Sequence, residues 1–198
     1  MENHPRRIHR YHRFNTPGHA HFITFSCYHN QPLLNIASAK EFLESSINES
    51  ASKYSFELWA YVFMPDHIHI LIYPVVEDYS ISDILKSIKQ SSSRKIINAL
   101  KMQGSSVLKN LETGLISPKF RFWQDGGGYD RSCRNIEEII NSINYIHDNP
   151  VKRGLVEKAE EWYWSSAKDW NENADGLLLI QKELLAAIMA QNGIRSLF

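Results

Sequence analysis

The chain has 198 residues, 43% of them hydrophobic and 22% charged, with Lys plus Arg matching Asp plus Glu at 22 each. That composition suits one well-buried domain, offers no net charge toward a polyanion, and holds no apolar run near the roughly 18 residues of a membrane span. Its two cysteines, Cys27 and Cys133, exclude a disulfide framework, and no signal-peptide core follows the basic N-terminus, so the expected compartment is the cytoplasm, at the nucleoid.

Charge is nonetheless unevenly placed. Arg6, Arg7, Arg10 and Arg13 share a short segment with His9, Tyr11 and His12 and no acid, while Glu157, Glu160, Glu161, Asp169, Glu172 and Asp175 gather late in the chain. Such an arm suits phosphate contact through Arg7, Arg10 and Arg13 with base stacking on the tyrosine; a solvated terminus explains it equally well. The expected organisation is a basic arm over 1–20, one domain over 21–170, and a tail over 171–198.

His21 to Tyr28 alternates β-branched and aromatic residues, the signature of a first strand. A helix is expected from Ala37 to Lys53, with Phe42, Leu43, Ile47 and Ala51 as its stripe. Phe56 to Met64 and His67 to Tyr73 read as two strands joined by a tight turn at Pro65-Asp66. Ile81, Ile84, Leu85 and Ile88 predict a second helix over Ser80 to Ala99, on which Lys89 and Arg94 are candidates for phosphate contact.

After a loop-rich stretch to Ser117, Lys119 to Gln124 alternates basic and aromatic residues and is a short strand candidate. Arg121 and Trp123 there could track a single strand of nucleic acid, or the rings could be core. Gly126-Gly127-Gly128 predicts a flexible loop ending at Tyr129. Asn135 with Glu138 forms a capping-box pair opening a third long helix, expected to stop at Asn149 because Pro150 follows. Trp162, Tyr163 and Trp164 read as packing onto the sheet, and Leu177 to Ala190 as a final amphipathic helix. The order β-α-β-β-α-β predicts an α+β fold, an antiparallel sheet with helices packed on it.

Two short runs carry chemistry. In Asp66-His67-Ile68-His69-Ile70 the imidazoles stand two apart in a strand, so both point to one face and can converge on one metal ion; two polar-face residues of a half-exposed strand would look the same. On the third helix Tyr145 lies opposite the stripe of Ile136, Ile139, Ile140 and Ile143, with Asn149 one turn further along. Catalysis and packing against a second layer explain that placement equally. Two histidines plus an amide oxygen would leave coordination positions open for phosphate and water, and a nearby tyrosine would supply a nucleophile.

These residues resemble the HUH single-tyrosine transposases, specifically the REP-associated tyrosine transposases related to the single-strand insertion-sequence enzymes. The likeness spans Arg10 to Ala167. It includes Tyr11-His12-Arg13, Phe22-Ile23-Thr24-Phe25, Ala60 to Leu71, Phe122-Trp123-Gln124, Tyr145 to Val156 and Trp164-Ser165-Ser166. It implies a ferredoxin-like sheet of the HUH endonuclease fold. It also implies Tyr145 as a nucleophile forming a 5′-phosphotyrosine, His67, His69 and Asn149 as ligands of Mg²⁺ or Mn²⁺, and single-stranded DNA with hairpins, at REP-like repeats or element ends, as the partner of a monomer or homodimer. The glycine run departs from the family pattern, loosens the loop ahead of the catalytic helix, and leaves Tyr129 as a rival nucleophile. Two other readings stand beside this one: a non-catalytic module holding structured nucleic acid, and a phosphodiesterase in which water attacks.

Overall fold

A computed structural model describes residues 15–172, 178 and 180–194. One antiparallel sheet holds β1 (Ala20–Ser26), β2 (Phe56–Phe63), β3 (His67–Pro74) and β4 (Tyr129–Cys133) in the spatial order β2-β3-β1-β4. Around it lie α1 (Ala39–Tyr54), α2 (Ile81–Met102), α3 (Ile136–Lys152), α4 (Ala167–Glu172) and α5 (Glu183–Gln191). The result is the expected α+β architecture with ferredoxin-like strand order. Among the described residues no helix is long and apolar enough to cross a membrane.

Strand periodicity sorts the core into two halves. Ile68, Ile70 and Ile72 of β3 join Ile23 and Phe25 of β1 beneath Leu43 and Ile47 of α1 and Ile84 and Ile88 of α2. The alternate residues face the other way, where Phe22, Val62 and Leu71 meet Ile139, Ile143 and Ile146 of α3 and Leu185 of α5. A sheet covered on both faces is built from nearly continuous apolar strands. His67 and His69 therefore stand out as polar residues on the α3 face of an otherwise apolar strand.

The fourth strand differs from expectation. Lys119 to Gln124 is irregular, its strand-like pairing limited to isolated bridges at Cys27–Trp123 and Glu112–Phe120. Its aromatic pattern comes from core filling: Phe122 and Trp123 are buried, and Trp123 Nε1 donates to Ser92 Oγ at 2.9 Å. The true β4 begins at Tyr129, with Tyr129 and Arg131 exposed and only Cys133 buried, so no apolar alternation marks it in sequence.

Nor is the glycine run loose. Lys89 Nζ donates to the carbonyls of Gln124 (2.9 Å) and Gly126 (2.6 Å), pinning the loop to α2. Gly128, at φ +72°, passes so close to β1 that a Cβ would lie 2.4 Å from Thr24 O. Only glycine fits there. The loop expected to be flexible is thus an anchored crossing between Gln124 and β4.

Helix α3 runs through Pro150 to Lys152 rather than stopping at Asn149. Proline lacks the N–H that would bond one turn back, a modest loss in a last turn that is closed by other means. Leu155 N donates to Pro150 O and Gly154 N to Val151 O, each at 2.9 Å, with Gly154 at φ +66°: a Schellman closure. At the other end Asn135 Oδ1 caps Glu138 N, while the Glu138 carboxylate reaches Arg134 N instead of the Asn135 N–H of a capping box.

The outer edge of β2 is covered by the segment that follows α3. Phe63 N donates to Trp164 O (2.8 Å) and Ser166 N to Tyr61 O (3.0 Å), so the edge carries fewer open hydrogen-bonding groups. Trp162 Nε1 donates to Phe63 O at 3.1 Å, whereas Tyr163 is exposed and packs less than expected. The last helix begins at Glu183, later than the hydrophobic pattern suggested, and Leu177 lies outside the described residues.

Candidate active site

Packing of α3 across the sheet, chiefly against β2 and β3, brings the two short runs together. Ile139, Ile143 and Ile146 seat the helix on the sheet, and Arg131 Nη2 of β4 donates to Ser142 Oγ at 2.9 Å. On the far side His147 Nε2 lies 2.9 Å from Ser166 Oγ, and burial pushes its imidazole down to about 3, so it is a neutral packing residue. With those positions fixed, Tyr145 and Asn149 overhang the histidine end of β3. Thr24, Asp66, His67, His69, Tyr145 and Asn149 line an open cleft of about 450 Å³ that also includes Arg153.

The imidazoles converge. His67 Nε2 and His69 Nε2 are 3.1 Å apart, and Asn149 Nδ2 is 3.1 Å from His69 Nε2. Each histidine is oriented from behind: His67 Nδ1 donates to Asp66 Oδ1 at 2.7 Å, and His69 Nδ1 lies 2.6 Å from Thr24 Oγ1. The Asp66 carboxylate can only accept, which puts a proton on His67 Nδ1 and leaves Nε2 facing the cleft. Burial, then the neighbouring His67 and Arg153, push the His69 imidazole down to about 3, so His69 stays neutral.

The two Nε2 atoms point at each other at 3.1 Å, a spacing that suits two ring nitrogens sharing either a proton or a metal ion. Asn149 Oδ1 is buried and, among the described residues, has no hydrogen-bond partner, and exchanging the amide's O and N would aim that oxygen at the same point. Ligands about 2.1 Å from an octahedral ion stand about 3.0 Å apart, close to the spacing seen. Among the described residues no cluster of three or more His, Cys, Asp or Glu side chains could hold a metal. The donor set that fits one is two imidazoles and an amide.

Tyr145 is half exposed, its ring edge-on to His69 at 5.2 Å between centroids and to Phe22 at 5.7 Å. Phe22 in turn stacks on His69 at 5.4 Å, so the phenol stands on an aromatic floor beside the convergent donors. Tyr129, 44% exposed, stands edge-on to Phe22 at 6.2 Å between centroids but does not line the cleft.

An IS200-like transposase family model matches residues 16–149. The chain belongs to that family. The transposase is 28% identical over 153 residues to a Haemophilus influenzae protein assigned to the REP-associated tyrosine transposases, with 69% of this chain and 82% of that one covered. It is 24% identical over 156 residues to the REP-associated tyrosine transposase of Escherichia coli K12, covering 79% and 81% of the two chains. Its fold matches a solved REP-associated tyrosine transposase bound to a REP hairpin with a TM-score of 0.64 at 20% identity, covering 88% of this chain and 92% of that one.

The residues expected to contact DNA are not gathered at this cleft. Arg7, Arg10 and Arg13 lie outside the described residues. Trp123 is only 3% exposed and wedged between Phe25 and Phe122, which leaves it no face for a base; it is core. Lys89 is spent on the glycine loop, and Arg121 pairs with Asp125 at 3.4 Å. Arg94 is exposed on α2, across the sheet from the histidines. Sequence reading missed Thr24, Asp66 and Arg153 as parts of the site. Thr24 pairs with His69 across β1 and β3, a register that no local pattern reveals.

Proposed function

We propose that the transposase cuts and rejoins single-stranded DNA at hairpin-bearing sites, REP-like repeats or element ends, through a covalent 5′-phosphotyrosine at Tyr145. His67, His69 and Asn149 hold a Mg²⁺ or Mn²⁺ ion in this reading. The observation that carries it is the convergence of three oriented donor groups beside an exposed phenol. The relatives named as REP-associated tyrosine transposases, one of them solved with a REP hairpin, support the choice of DNA.

A bound divalent ion supplies Lewis-acid polarisation of the phosphate. The protein's own groups do the rest. Asp66 and Thr24 hold the imidazoles aimed, and the Phe22 ring fixes the edge from which the phenol approaches. The Tyr145 oxygen loses its proton to solvent and forms a bond to phosphorus; the P–O3′ bond breaks, and the departing oxygen takes up a proton as a free 3′-hydroxyl. One phosphodiester is exchanged for another, so the reverse attack by a 3′-hydroxyl rejoins the strand without ATP.

Incubation with labelled hairpin-bearing single-stranded DNA and Mn²⁺ is expected to give an adduct that survives a denaturing gel. Tyr145→Phe should abolish it, and His67→Ala with His69→Ala should do the same. Cleavage that persists without any adduct would favour water as the nucleophile. DNA binding with no cleavage by the native protein would leave only a binding module.

A further inference from the structure

Tyr145, Asn149 and Arg153 follow one another at intervals of one helical turn, so all three fall on a single row of α3. The row continues that far only because the helix passes through Pro150, and the Arg153 N–H still donates to Asn149 O at 3.1 Å before the Gly154 closure. A helix broken at Asn149 would not place Arg153 in line. The nucleophile and the amide donor on this row have chemical roles in the proposed reaction; the third member has none yet.

Arg153 lines the same cleft and, among the described residues there, is its one permanently charged cation. Its Nη1 stands 3.9 Å from Asp66 Oδ2, beyond hydrogen-bond length, while Asp66 Oδ1 is already engaged by His67. The side chain is 56% exposed, and its guanidinium makes no hydrogen bond within 3.5 Å among the described residues. Asp66 thus tethers the group electrostatically beside the histidines without using its donors. A planar fork with open N–H groups, next to a nucleophile and a cation site, is matched to phosphate oxygens.

We propose that Arg153 grips a non-bridging oxygen of the phosphate under attack and keeps hold of it in the phosphotyrosine. This rests on the reading of Tyr145 as nucleophile. The bonds made and broken are those already described; Arg153 neither gives nor takes a proton, and its guanidinium offsets charge that builds on the phosphate as the phenol oxygen arrives.

The probe is an oligonucleotide recovered as an adduct from a pool of hairpin-bearing single strands with randomised flanks. Its binding to Tyr145→Phe protein in EDTA is measured across a range of KCl concentrations, with and without Arg153→Ala. Loss of one phosphate contact is expected to flatten the slope of log K against log salt by about 0.7. With Tyr145 intact and Mn²⁺ present, Arg153→Ala should slow single-turnover adduct formation at saturating DNA by roughly 100-fold. Arg153→Lys should recover part of that loss, since a point charge replaces the fork incompletely. An unchanged slope together with an unchanged rate would overturn the proposal. So would a loss that Asp66→Asn reproduces and to which Arg153→Ala adds nothing, which would make Arg153 a counter-ion for Asp66. Absence of any adduct from native protein would defeat the transposase reading and this inference together, whereas an adduct undiminished in Arg153→Ala would remove Arg153 alone.

Discussion

Replacing Gly128 by alanine separates backbone freedom from close approach, because Gly126 two residues earlier provides a matched control. Both have positive φ, +85° at Gly126 and +72° at Gly128, but a Cβ at Gly126 meets nothing within 4 Å. Gly126→Ala should therefore cost only the left-handed backbone penalty, about 1 kcal/mol. At Gly128 the new methyl would sit 2.4 Å from Thr24 O and 3.0 Å from Phe25 Cβ, both on β1, so β4 must shift away from its partner. Overpacking of that kind costs about 1–3 kcal/mol on top of the backbone penalty. The totals, about 1 against about 2–4 kcal/mol, correspond to melting-point losses of roughly 3 °C and 6–12 °C for a domain of this size. Urea denaturation and thermal melting of both variants beside native protein give the comparison directly. Equal losses at the two positions would refute the close-approach argument.

Three further outcomes follow from groups on the sheet and beside it. Thr24→Val removes the partner of His69 Nδ1 while keeping the shape of the side chain, and should weaken Mn²⁺ binding about 10- to 100-fold in a titration followed by electron paramagnetic resonance, without loss of the fold. Cys27, buried beneath α1, has its thiol pushed by burial from the usual 9.0 up to about 12. The native protein should therefore resist iodoacetamide at Cys27 until denaturant is added. Because the unfolded thiol ionises first, its contribution to stability is intact below pH 9 and lost as pH climbs from 9 toward 12. Cys27→Ala should show a smaller decline over that window in denaturant titrations.

What the sequence disclosed depended on burial. Strands β2 and β3 are almost wholly apolar, and the stripes of α1, α2 and α3 repeat at helical spacing, so their existence was legible from residue type alone. Strand β4 was hidden, because Tyr129 and Arg131 of an outer strand stay exposed and leave no alternation to read. The aromatic run at Phe120 to Trp123 mimicked a strand by filling the core without pairing as one. Pro150 signalled a helix end that Gly154 actually provides, and that one difference concealed Arg153. His67, His69, Tyr145 and Asn149 could be named because strand and helix periods predict shared faces. Thr24 and Asp66 could not, since their contacts depend on strand register and side-chain rotamer. Asp66 looked like a turn residue and also orients a histidine.

The most direct measurement is the identity of the tyrosine that carries DNA. Native protein incubated with hairpin-bearing single-stranded DNA and Mn²⁺ would be denatured, digested with nuclease and trypsin, and analysed by tandem mass spectrometry for a nucleotide-modified peptide. The account expects the modification on Tyr145, with a 5′-phosphate linkage and a free 3′-hydroxyl on the released strand. A nucleotide on Tyr129, or cleaved DNA with no modified peptide, would contradict it.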